Sequence, residues 1–447
     1  MRKIFKYALL FAAACTLSMT FTACGDDDDD NNGNAQTTEN QKQEALKNIV
    51  NTYLNDVVFP TYSNLADAAE KLYTQINGLR IKLNAGTNVT QSEIDAICNT
   101  YKLTRAYWEE SEAFLYGAAS DFDIDPHIDT WPLDLPTLAK DLGDNAKISK
   151  LNSEDGIFWA RTEGNLTPEN LGFHGIEFIF FRNGSNRNVS IFNNDAVEDD
   201  SNFTGLDVHG KEEVIFASAI AGDLRDKCYQ LEVSWMGSKA AAAHIQRITV
   251  CKQQNAEEFQ TTVAKNGLSY GENMLAAGTA QSTYSSWRKV LEEIFIGGCS
   301  NICGEVADQK MGQAYRATTS GGISTHIGED GTPEEDDPNY IESPYSFNSY
   351  TDFKGNILSI QYTLYGGARL NSEVNNSIMN YLNDYAPNIG KELKNRLTVA
   401  LSALDKCQNS GKAFVQAPGA PVVKEAMDAI GELNNYLVQA SDWILQN

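Results

Sequence analysis

The chain has 447 residues and a formal net charge of −25, with 60 acidic residues against 35 lysines and arginines. A surface of this charge repels nucleic acid, and no basic patch along the sequence offsets it, so nucleic acid is excluded as a partner. The length beyond the first 40 residues is enough for two domains with proper hydrophobic cores.

The first 23 residues have the character of a bacterial lipoprotein signal. Three basic residues open the chain, a short apolar run covers 8–21, and the sequence Phe-Thr-Ala-Cys ends at Cys24 as a lipobox. We predict that residues 1–23 are removed and that Cys24 becomes a lipid anchor, which holds the protein on a membrane without a spanning helix. An ordinary signal peptide cut at another site is the alternative.

An acidic run follows Cys24. Five aspartates and several polar residues come next, so residues 24–40 are predicted to be a solvated, flexible tether. The run resembles the export signal that sends lipoproteins of some Gram-negative bacteria to the outer cell surface. We therefore expect an outer-membrane lipoprotein exposed at the cell surface. A protein that faces the periplasm, or a run that is merely a spacer, remains the alternative.

The rest of the chain is predicted to be all-α. Apolar residues recur at intervals of three and four, and the alternation typical of strands is nearly absent. A helical pattern covers 41–83 and is kinked or broken at Pro60, because proline cannot donate a backbone hydrogen bond.

Two further helices have recognisable start signals. Thr90 and Glu93 form a capping box at the start of a helix that is predicted to continue to Gly117. A later helix is expected to begin at Pro168, with Thr167 as its N-cap.

The remaining segments follow the same helical pattern. Residues 183–210 are predicted to be a long polar loop, and 211–251 one long helix. Later helices are predicted at 270–295, 301–317, 344–365, 372–384, 388–409 and 422–445. We interpret the whole as two helical-bundle lobes, the first over 41–250 and the second over 251–447.

Six cysteines remain after the signal and the lipobox, at positions 98, 228, 251, 299, 303 and 407. Their spacing lacks the paired CxxC pattern of a zinc site. Because an exported protein enters an oxidising compartment, we expect one or two disulfides among these six cysteines.

The most distinctive motif is the GxHxxE stretch at 172–177. In a helix, His174 and Glu177 lie on one face because they are three residues apart. An imidazole and a carboxylate on one face make half of a metal site or an acid–base pair. A core histidine bonded to a neighbouring glutamate is the structural alternative. Gly172 leaves the backbone open to a ligand or to a closely packed element.

Four segments, in this order, resemble segments of the imelysin-like family. They are Tyr107–Phe114, Asp129–Pro132, Gly172–Glu177 and Glu342–Phe353. The resemblance covers nearly all of the chain beyond the signal. It implies an all-α fold of two pseudo-symmetric lobes with the motif helix near their interface. It also implies an exported or lipid-anchored protein with a link to iron acquisition.

Iron accepts imidazole and carboxylate ligands, and helix bundles present such ligands inward from facing helices. We therefore expect His174, Glu177 and Glu112 to bind a metal ion, iron rather than zinc. The residues expected to line the ligand pocket are Trp108, Asp129, Trp131, Gly172, Tyr345, Ser346 and Asp352. The two aspartates are expected to orient the imidazole, and the tryptophans to pack around the site.

The expected function is therefore binding of a metal ion, or of an iron-bearing ligand, between the lobes. Iron-uptake components of the cell envelope are the expected partners. A metallopeptidase is the first alternative. It is less favoured because the motif lacks the second histidine of HExxH, and the other histidines lie far away in the sequence. A non-catalytic surface module whose motif helix is purely structural is the second alternative.

Overall fold

The computed structural model describes residues 31–193, 196–328 and 331–447, and these residues form an all-α protein, as predicted. The predicted signal over 1–23 and the lipobox Cys24 lie outside the described residues. In the described part of the chain, no helix combines the length and the apolar character needed to cross a bilayer.

Helices account for nearly all of the regular structure. Up to residue 193 they are α1 Asn31–Thr52, α2 Phe59–Asn84, α3 Gln91–Glu109, α4 Ala118–Asp121, α5 Asp125–Ile128, α6 Leu135–Gly143, α7 Asn145–Leu151, α8 Gly156–Arg161, α9 Gly172–Phe180 and α10 Ser190–Asn193. They continue with α11 Gly210–Met236, α12 Ala242–Gln254, α13 Tyr270–Leu275, α14 Trp287–Glu292, α15 Asn301–Gly304, α16 Gly312–Thr319, α17 Ser349–Tyr365, α18 Ile378–Tyr385, α19 Pro387–Gln408 and α20 Pro421–Gln446.

Shorter elements complete the fold. The antiparallel pairs are β1 Phe181–Arg182 with β2 Ser185–Asn186, and β3 Thr325–Ile327 with β4 Pro333–Glu335. The 3₁₀ turns are Glu112–Phe114, Pro168–Asn170, Ser201–Phe203, Gly237–Lys239 and Phe414–Gln416. The π-helical segments are Tyr53–Val58, Glu293–Ser300 and Glu305–Lys310.

The helical pattern that was predicted to be kinked or broken at Pro60 continues through it without a break. A π-helical turn, Tyr53–Val58, joins α1 to α2 directly before the proline. Because Pro60 has no N–H, the carbonyl of Asp56 lacks its α-helical donor. That carbonyl instead accepts a hydrogen bond of 2.7 Å from the N–H of Ala368. A π-helical turn and a tertiary hydrogen bond thus accommodate the proline.

The stretch predicted as a tether over 24–40 is helical from Asn31 onward, so the prediction is corrected for residues 31–40. Helix α1 packs against α14. The Arg288 guanidinium donates to the two carboxylate oxygens of Glu39 at 2.7 and 3.0 Å. This tertiary partner, together with the good helix formers that follow Glu39, explains why the polar composition does not prevent a helix.

The larger of two hydrophobic clusters among the described residues draws on buried apolar residues from Leu46 to Ile444, and a smaller one includes Tyr229 and Phe259. The long pairs α2 with α11 and α19 with α20 pack along each other. Residue 250, the boundary chosen between two lobes, lies inside α12 rather than in a linker. The division into lobes at that residue therefore stays a prediction.

The capping box of Thr90 and Glu93 is present, but α3 ends at Glu109 rather than at Gly117. The N–H and the Oγ of Ser111 both donate to the carbonyl of Trp108, at 2.8 and 2.6 Å. These bonds turn the chain out of the α-helix, and the 3₁₀ turn Glu112–Phe114 follows.

The single helix predicted over 211–251 is two helices. Gly237 has φ of +57°, a left-handed conformation that ends α11 at Met236. The chain resumes as α12 at Ala242.

The gap between the helices that were predicted at 270–295 and 301–317 is also misplaced. Residues 276–286 form turns after the short helix α13, whereas the chain stays helical from Trp287 to Lys310. Two π-helical segments lie in that stretch, and their longer hydrogen-bonded turns shift the apolar pattern, which explains the misplaced gap.

Among the last four helices, proline and capping signals mark the starts. Helices α19 and α20 begin at Pro387 and Pro421, each one residue before its predicted start. Helix α17 begins at Ser349 instead of 344, and α18 begins at Ile378 instead of 372. The Oγ of Ser377 caps α18, a start signal that the apolar pattern alone did not reveal.

The expectation of disulfides is not met among the described residues, where the six cysteines are buried free thiols. Cys299 and Cys303 lie in one helical stretch. The Cβ atoms of residues four apart in a helix are farther from each other than a disulfide allows.

Candidate functional site

The motif helix α9 is buried along its whole length. The helix was predicted to begin at Pro168, but Pro168–Asn170 is a 3₁₀ turn and α9 begins at Gly172. Gly172 has φ of +61°, and a Cβ there would lie 1.9 Å from the carbonyl oxygen of Ile128. Glycine is therefore required, because it allows the backbones of α5 and α9 to touch. Asp129, the residue after Ile128, is thereby placed beside α9.

His174 faces two carboxyl groups. Its Nε2 lies 3.0 Å from Oδ1 of Asp129, and its Nδ1 lies 3.9 Å from Oε2 of Glu177. The indole N–H of Trp108 donates to the other oxygen of Asp129 at 2.6 Å. The ring of Trp131 lies 5.9 Å from the imidazole, centre to centre. The structure thus brings together five of the residues selected from the sequence.

The charges in this group are coupled. Burial disfavours the charged imidazole, but the hydrogen bond to Asp129 and the nearby carboxylate of Glu177 outweigh that effect and raise the pKa of His174 to about 9. Burial likewise opposes ionisation of Asp129, but Arg105 and His174 hold the pKa of this carboxyl below its usual range. At neutral pH the pair is therefore an imidazolium and a carboxylate. A protonated imidazole cannot ligate a metal, so in this state His174 positions Asp129.

Glu177 ties the motif helix to the segment before α17. Its Oε1 accepts from the N–H of Tyr345 at 3.1 Å, from the N–H of Ser346 at 2.8 Å and from the Oγ of Ser346 at 2.6 Å. Tyr345 and Ser346 therefore lie at the site, and both use their backbone. The tight turn around the carboxylate also explains why α17 begins only at Ser349.

Arg105 lies at the centre of the site and is fully buried. Its guanidinium pairs with Asp129, with Glu109 at 2.6 Å and with Glu342 at 2.5 Å, and it lies 3.8 Å from Asp352. Asp129 and Asp352 were predicted from the sequence to lie at the site, whereas the arginine between them was not.

Lys310 is a second buried cation in the same region. Its Nζ lies 3.2 Å from Glu342, 3.7 Å from Glu112, 3.8 Å from Glu305 and 3.9 Å from Glu109. Glu112, predicted as a metal ligand, therefore faces a lysine rather than the imidazole of the motif.

We call this connected set the acidic cluster. Its carboxyl groups are Glu109, Glu112, Asp129, Glu177, Glu305, Glu342 and Asp352, and its basic groups are Arg105, His174 and Lys310. Seven carboxyl groups thus share three basic groups, which is an excess of four carboxyl groups.

The excess is reflected in the acidities. Burial raises the pKa of Glu109 and of Glu112 well above the usual range, even though Arg105 and Lys310 act in the opposite direction. Burial also raises the pKa of Asp352 to about 7. Without a further cation, protons therefore neutralise part of the cluster, and a metal would replace them.

The donor set fits a hard or borderline metal cation. Glu109, Glu112 and Asp129 each offer an oxygen within 4.8 Å of the others, close enough to share one ion. The Oε2 atoms of Glu112, Glu177 and Glu342 are buried without a hydrogen-bond donor among the described residues. Carboxylate oxygens of this kind are the ligands that iron, manganese and magnesium accept.

In the described part of the chain, the other group of three that could share an ion is His127, Asp223 and Glu258. Neither group contains His174 together with Glu177. The geometry therefore favours Glu109, Glu112 and Asp129 as metal ligands over the set proposed from the motif. In this arrangement His174 acts on Asp129 and does not itself contact the ion.

Arg105 and Glu109 were not predicted for the site, although the sequence carried a signal for both. Arg105, Trp108, Glu109 and Glu112 are spaced by three and four residues, which is the spacing of one helix face. Lys310 had no comparable signal, because charged residues in polar surroundings are usually exposed. Glu342 begins the last of the four segments that resemble the family, but it was not selected as a site residue.

The sequence profile of the imelysin family (Peptidase M75) matches residues 58–437. Iron-regulated protein A of Synechococcus elongatus is 21% identical over 389 residues, which cover 86% of this chain and 83% of the relative.

Two crystal structures share the fold. One is that of a protein assigned as an iron-regulated protein A precursor from Parabacteroides distasonis, with a TM-score of 0.67 and 19% identity over 90% of this chain and 95% of the other. The second is that of an imelysin-like protein from Psychrobacter arcticum, with a TM-score of 0.50 and 12% identity over 88% of this chain and 93% of the other. At these identities the likeness concerns the fold.

Proposed function

This chain belongs to the imelysin family, and from that premise we propose that it is a cell-envelope protein that binds a metal cation, iron, in the acidic cluster. The observation that carries the proposal is the excess of carboxyl groups, six buried and one partly exposed, over three bases. An excess of this size is expensive in free energy unless protons or a cation neutralise it. The name of the relative from Synechococcus elongatus connects that protein with iron, which supports iron as the cation here.

Glu109, Glu112 and Asp129 are the proposed ligands. They come from α3, from the 3₁₀ turn after it and from the loop after α5. A bound cation would supply the positive charge that these groups lack. His174 and Trp108 hold Asp129 in place, each through one of its oxygens, so the motif histidine acts as a positioning residue.

The envelope location is proposed from the sequence. Cys24 would carry the lipid that anchors the protein in the outer membrane, at the cell surface, where iron-uptake components are its expected partners. Metabolic labelling with a radioactive fatty acid should mark the wild type but not Cys24→Ala. Equal labelling of both proteins would refute the anchor.

The metallopeptidase alternative receives no support from the geometry. Hydrolysis requires a substrate to reach the metal and its water. His174 and Glu177 are 1% and 0% exposed, and both are held by neighbouring residues. We therefore propose binding, rather than proteolysis, at this site.

Isothermal titration tests the proposal. Ferrous ion under anaerobic conditions, with zinc for comparison, is added to the wild type, to Glu112→Gln and to the control Glu258→Gln. The control removes a carboxylate from the other group that could share an ion. Burial raises the pKa of Glu112 well above its usual range, which favours the neutral form that glutamine resembles, so the variant should fold normally.

We expect one ferrous ion per chain in the wild type and in Glu258→Gln, and at least tenfold weaker binding in Glu112→Gln. Equal binding by the wild type and Glu112→Gln, or weakening only in Glu258→Gln, would place the metal elsewhere. Absence of binding by the wild type would refute the proposal.

A further inference from the structure

Lys310 sits where a bound cation would interact with most of the cluster. Its Nζ is at hydrogen-bond distance from Glu342, at 3.2 Å. The distances to Glu112 and Glu109, 3.7 and 3.9 Å, exceed the usual limit of about 3.2 Å for an N–H···O bond. The ammonium therefore lies in a cage of carboxyl groups that is larger than an ammonium requires.

The lysine leaves the cage incompletely satisfied. Glu112 and Glu342 are buried, and the Oε2 of each has no hydrogen-bond donor among the described residues. A buried carboxylate oxygen without a donor carries a desolvation cost. The single charge of the ammonium thus reduces the repulsion between the carboxyl groups but leaves some of their oxygens without a donor. A cation of higher charge would interact more strongly with the same group.

The surroundings also provide a direction in which the lysine can move. Glu305 Oε1 lies 3.8 Å from Nζ, and the side chain of Glu305 is 18% exposed, whereas that of Lys310 is 0% exposed. The two residues begin and end one π-helical segment, so they lie one turn apart. Trp131, which is partly exposed, covers Nζ with its ring centre 5.0 Å away. A rotation toward Glu305 would keep a carboxylate partner while it brings the ammonium nearer to solvent.

We propose that the Lys310 ammonium is a tethered occupant of the cation position, and that a multivalent metal cation enters the acidic cluster by displacing it toward Glu305. The inference rests on the proposed function, because it describes how the same site exchanges cations. A monovalent ion brings no more charge than the ammonium that it would replace. Lys310 therefore selects for divalent or trivalent ions and weakens the binding of all of them.

Lys310→Met tests the inference, because methionine keeps much of the apolar length and removes the charge. Lys227→Met is the matched control. Lys227 is another buried lysine, and its Nζ lies 2.8 Å from Glu258, away from the cluster. The probe is Mn²⁺, which is stable in air and can be followed by electron paramagnetic resonance, with anaerobic Fe²⁺ as a second probe.

We expect Lys310→Met to bind Mn²⁺ at least tenfold more tightly than the wild type, and Lys227→Met to match the wild type. If the wild type binds and Lys310→Met binds equally or more weakly, the inference fails while the proposed function stands. An equal gain in both variants also refutes it, because the effect would not belong to the cluster. If neither the wild type nor Lys310→Met binds either ion at millimolar concentration, both proposals fail.

A second measurement uses the wild type and does not depend on the folding of a variant. An amine-acylating reagent is applied with and without saturating Mn²⁺, and modified lysines are quantified by mass spectrometry. Displacement toward solvent predicts that acylation of Lys310 becomes at least tenfold faster with the metal, while that of Lys227 does not change. Unchanged or slower acylation of Lys310 would show that it keeps its place, which overturns the inference.

Discussion

The charge state of His174 leads to a quantitative prediction for stability. The pKa of this buried imidazole is raised from 6.5 to about 9, because the hydrogen bond to Asp129 and the nearby carboxylate of Glu177 outweigh burial. The folded state therefore binds the proton more tightly than the unfolded chain. Since one pKa unit corresponds to about 1.4 kcal/mol, the proton contributes about 3 kcal/mol to the free energy of unfolding. The contribution is fully present below pH 6.5 and is lost as the pH rises through 9.

His174→Gln removes this linkage while it keeps a donor for Asp129. Urea unfolding, followed by circular dichroism in the presence of a chelator, gives the free energy of unfolding between pH 6 and pH 9.5. We expect the difference between the wild type and His174→Gln to fall by about 3 kcal/mol over that range. Titrating groups that do not interact with His174 are common to both proteins and cancel in the difference. A difference that stays constant, or increases with pH, would refute the imidazolium–carboxylate pair.

Three further substitutions have defined outcomes in the same urea assay. Gly172→Ala should unfold the motif region or cost several kcal/mol, because its Cβ would lie 1.9 Å from the Ile128 carbonyl oxygen; a stable variant would contradict this contact. Arg105→Met should lower the free energy of unfolding by about 3–5 kcal/mol, since it leaves buried carboxyl groups unpaired. A decrease of less than about 1 kcal/mol would contradict the central role of Arg105. Ser346→Ala should cost about 1.5–3 kcal/mol through the lost bond of 2.6 Å to Glu177, and an unchanged midpoint would show that the bond is unimportant.

Local signals in the sequence predicted the fold class and many helix starts. The capping box at Thr90 and the prolines at the starts of α19 and α20 act through backbone chemistry within a few residues, so they can be read directly. The π-helical segments cannot be read in this way. Their extra residue per turn is stabilised by tertiary contacts, as the bond between Ala368 and Asp56 illustrates.

The candidate site was predicted in part for the same reason. Trp108, Asp129 and His174 were selected from motifs, and the structure joins them by hydrogen bonds. Lys310 and Glu342 come from distant parts of the chain, and their burial depends on the complete tertiary fold. A buried lysine looks like any surface lysine in a sequence, so its place within the cluster had no signal there.

Anomalous diffraction from crystals soaked with ferrous ion, recorded at the iron absorption edge, tests the central claim most directly. We predict one anomalous peak among the carboxylates of Glu109, Glu112 and Asp129, with the Lys310 ammonium moved toward Glu305. A peak at the other group that could share an ion, at His127, Asp223 and Glu258, or no peak after saturating soaks, would contradict the assignment of the acidic cluster as the iron site.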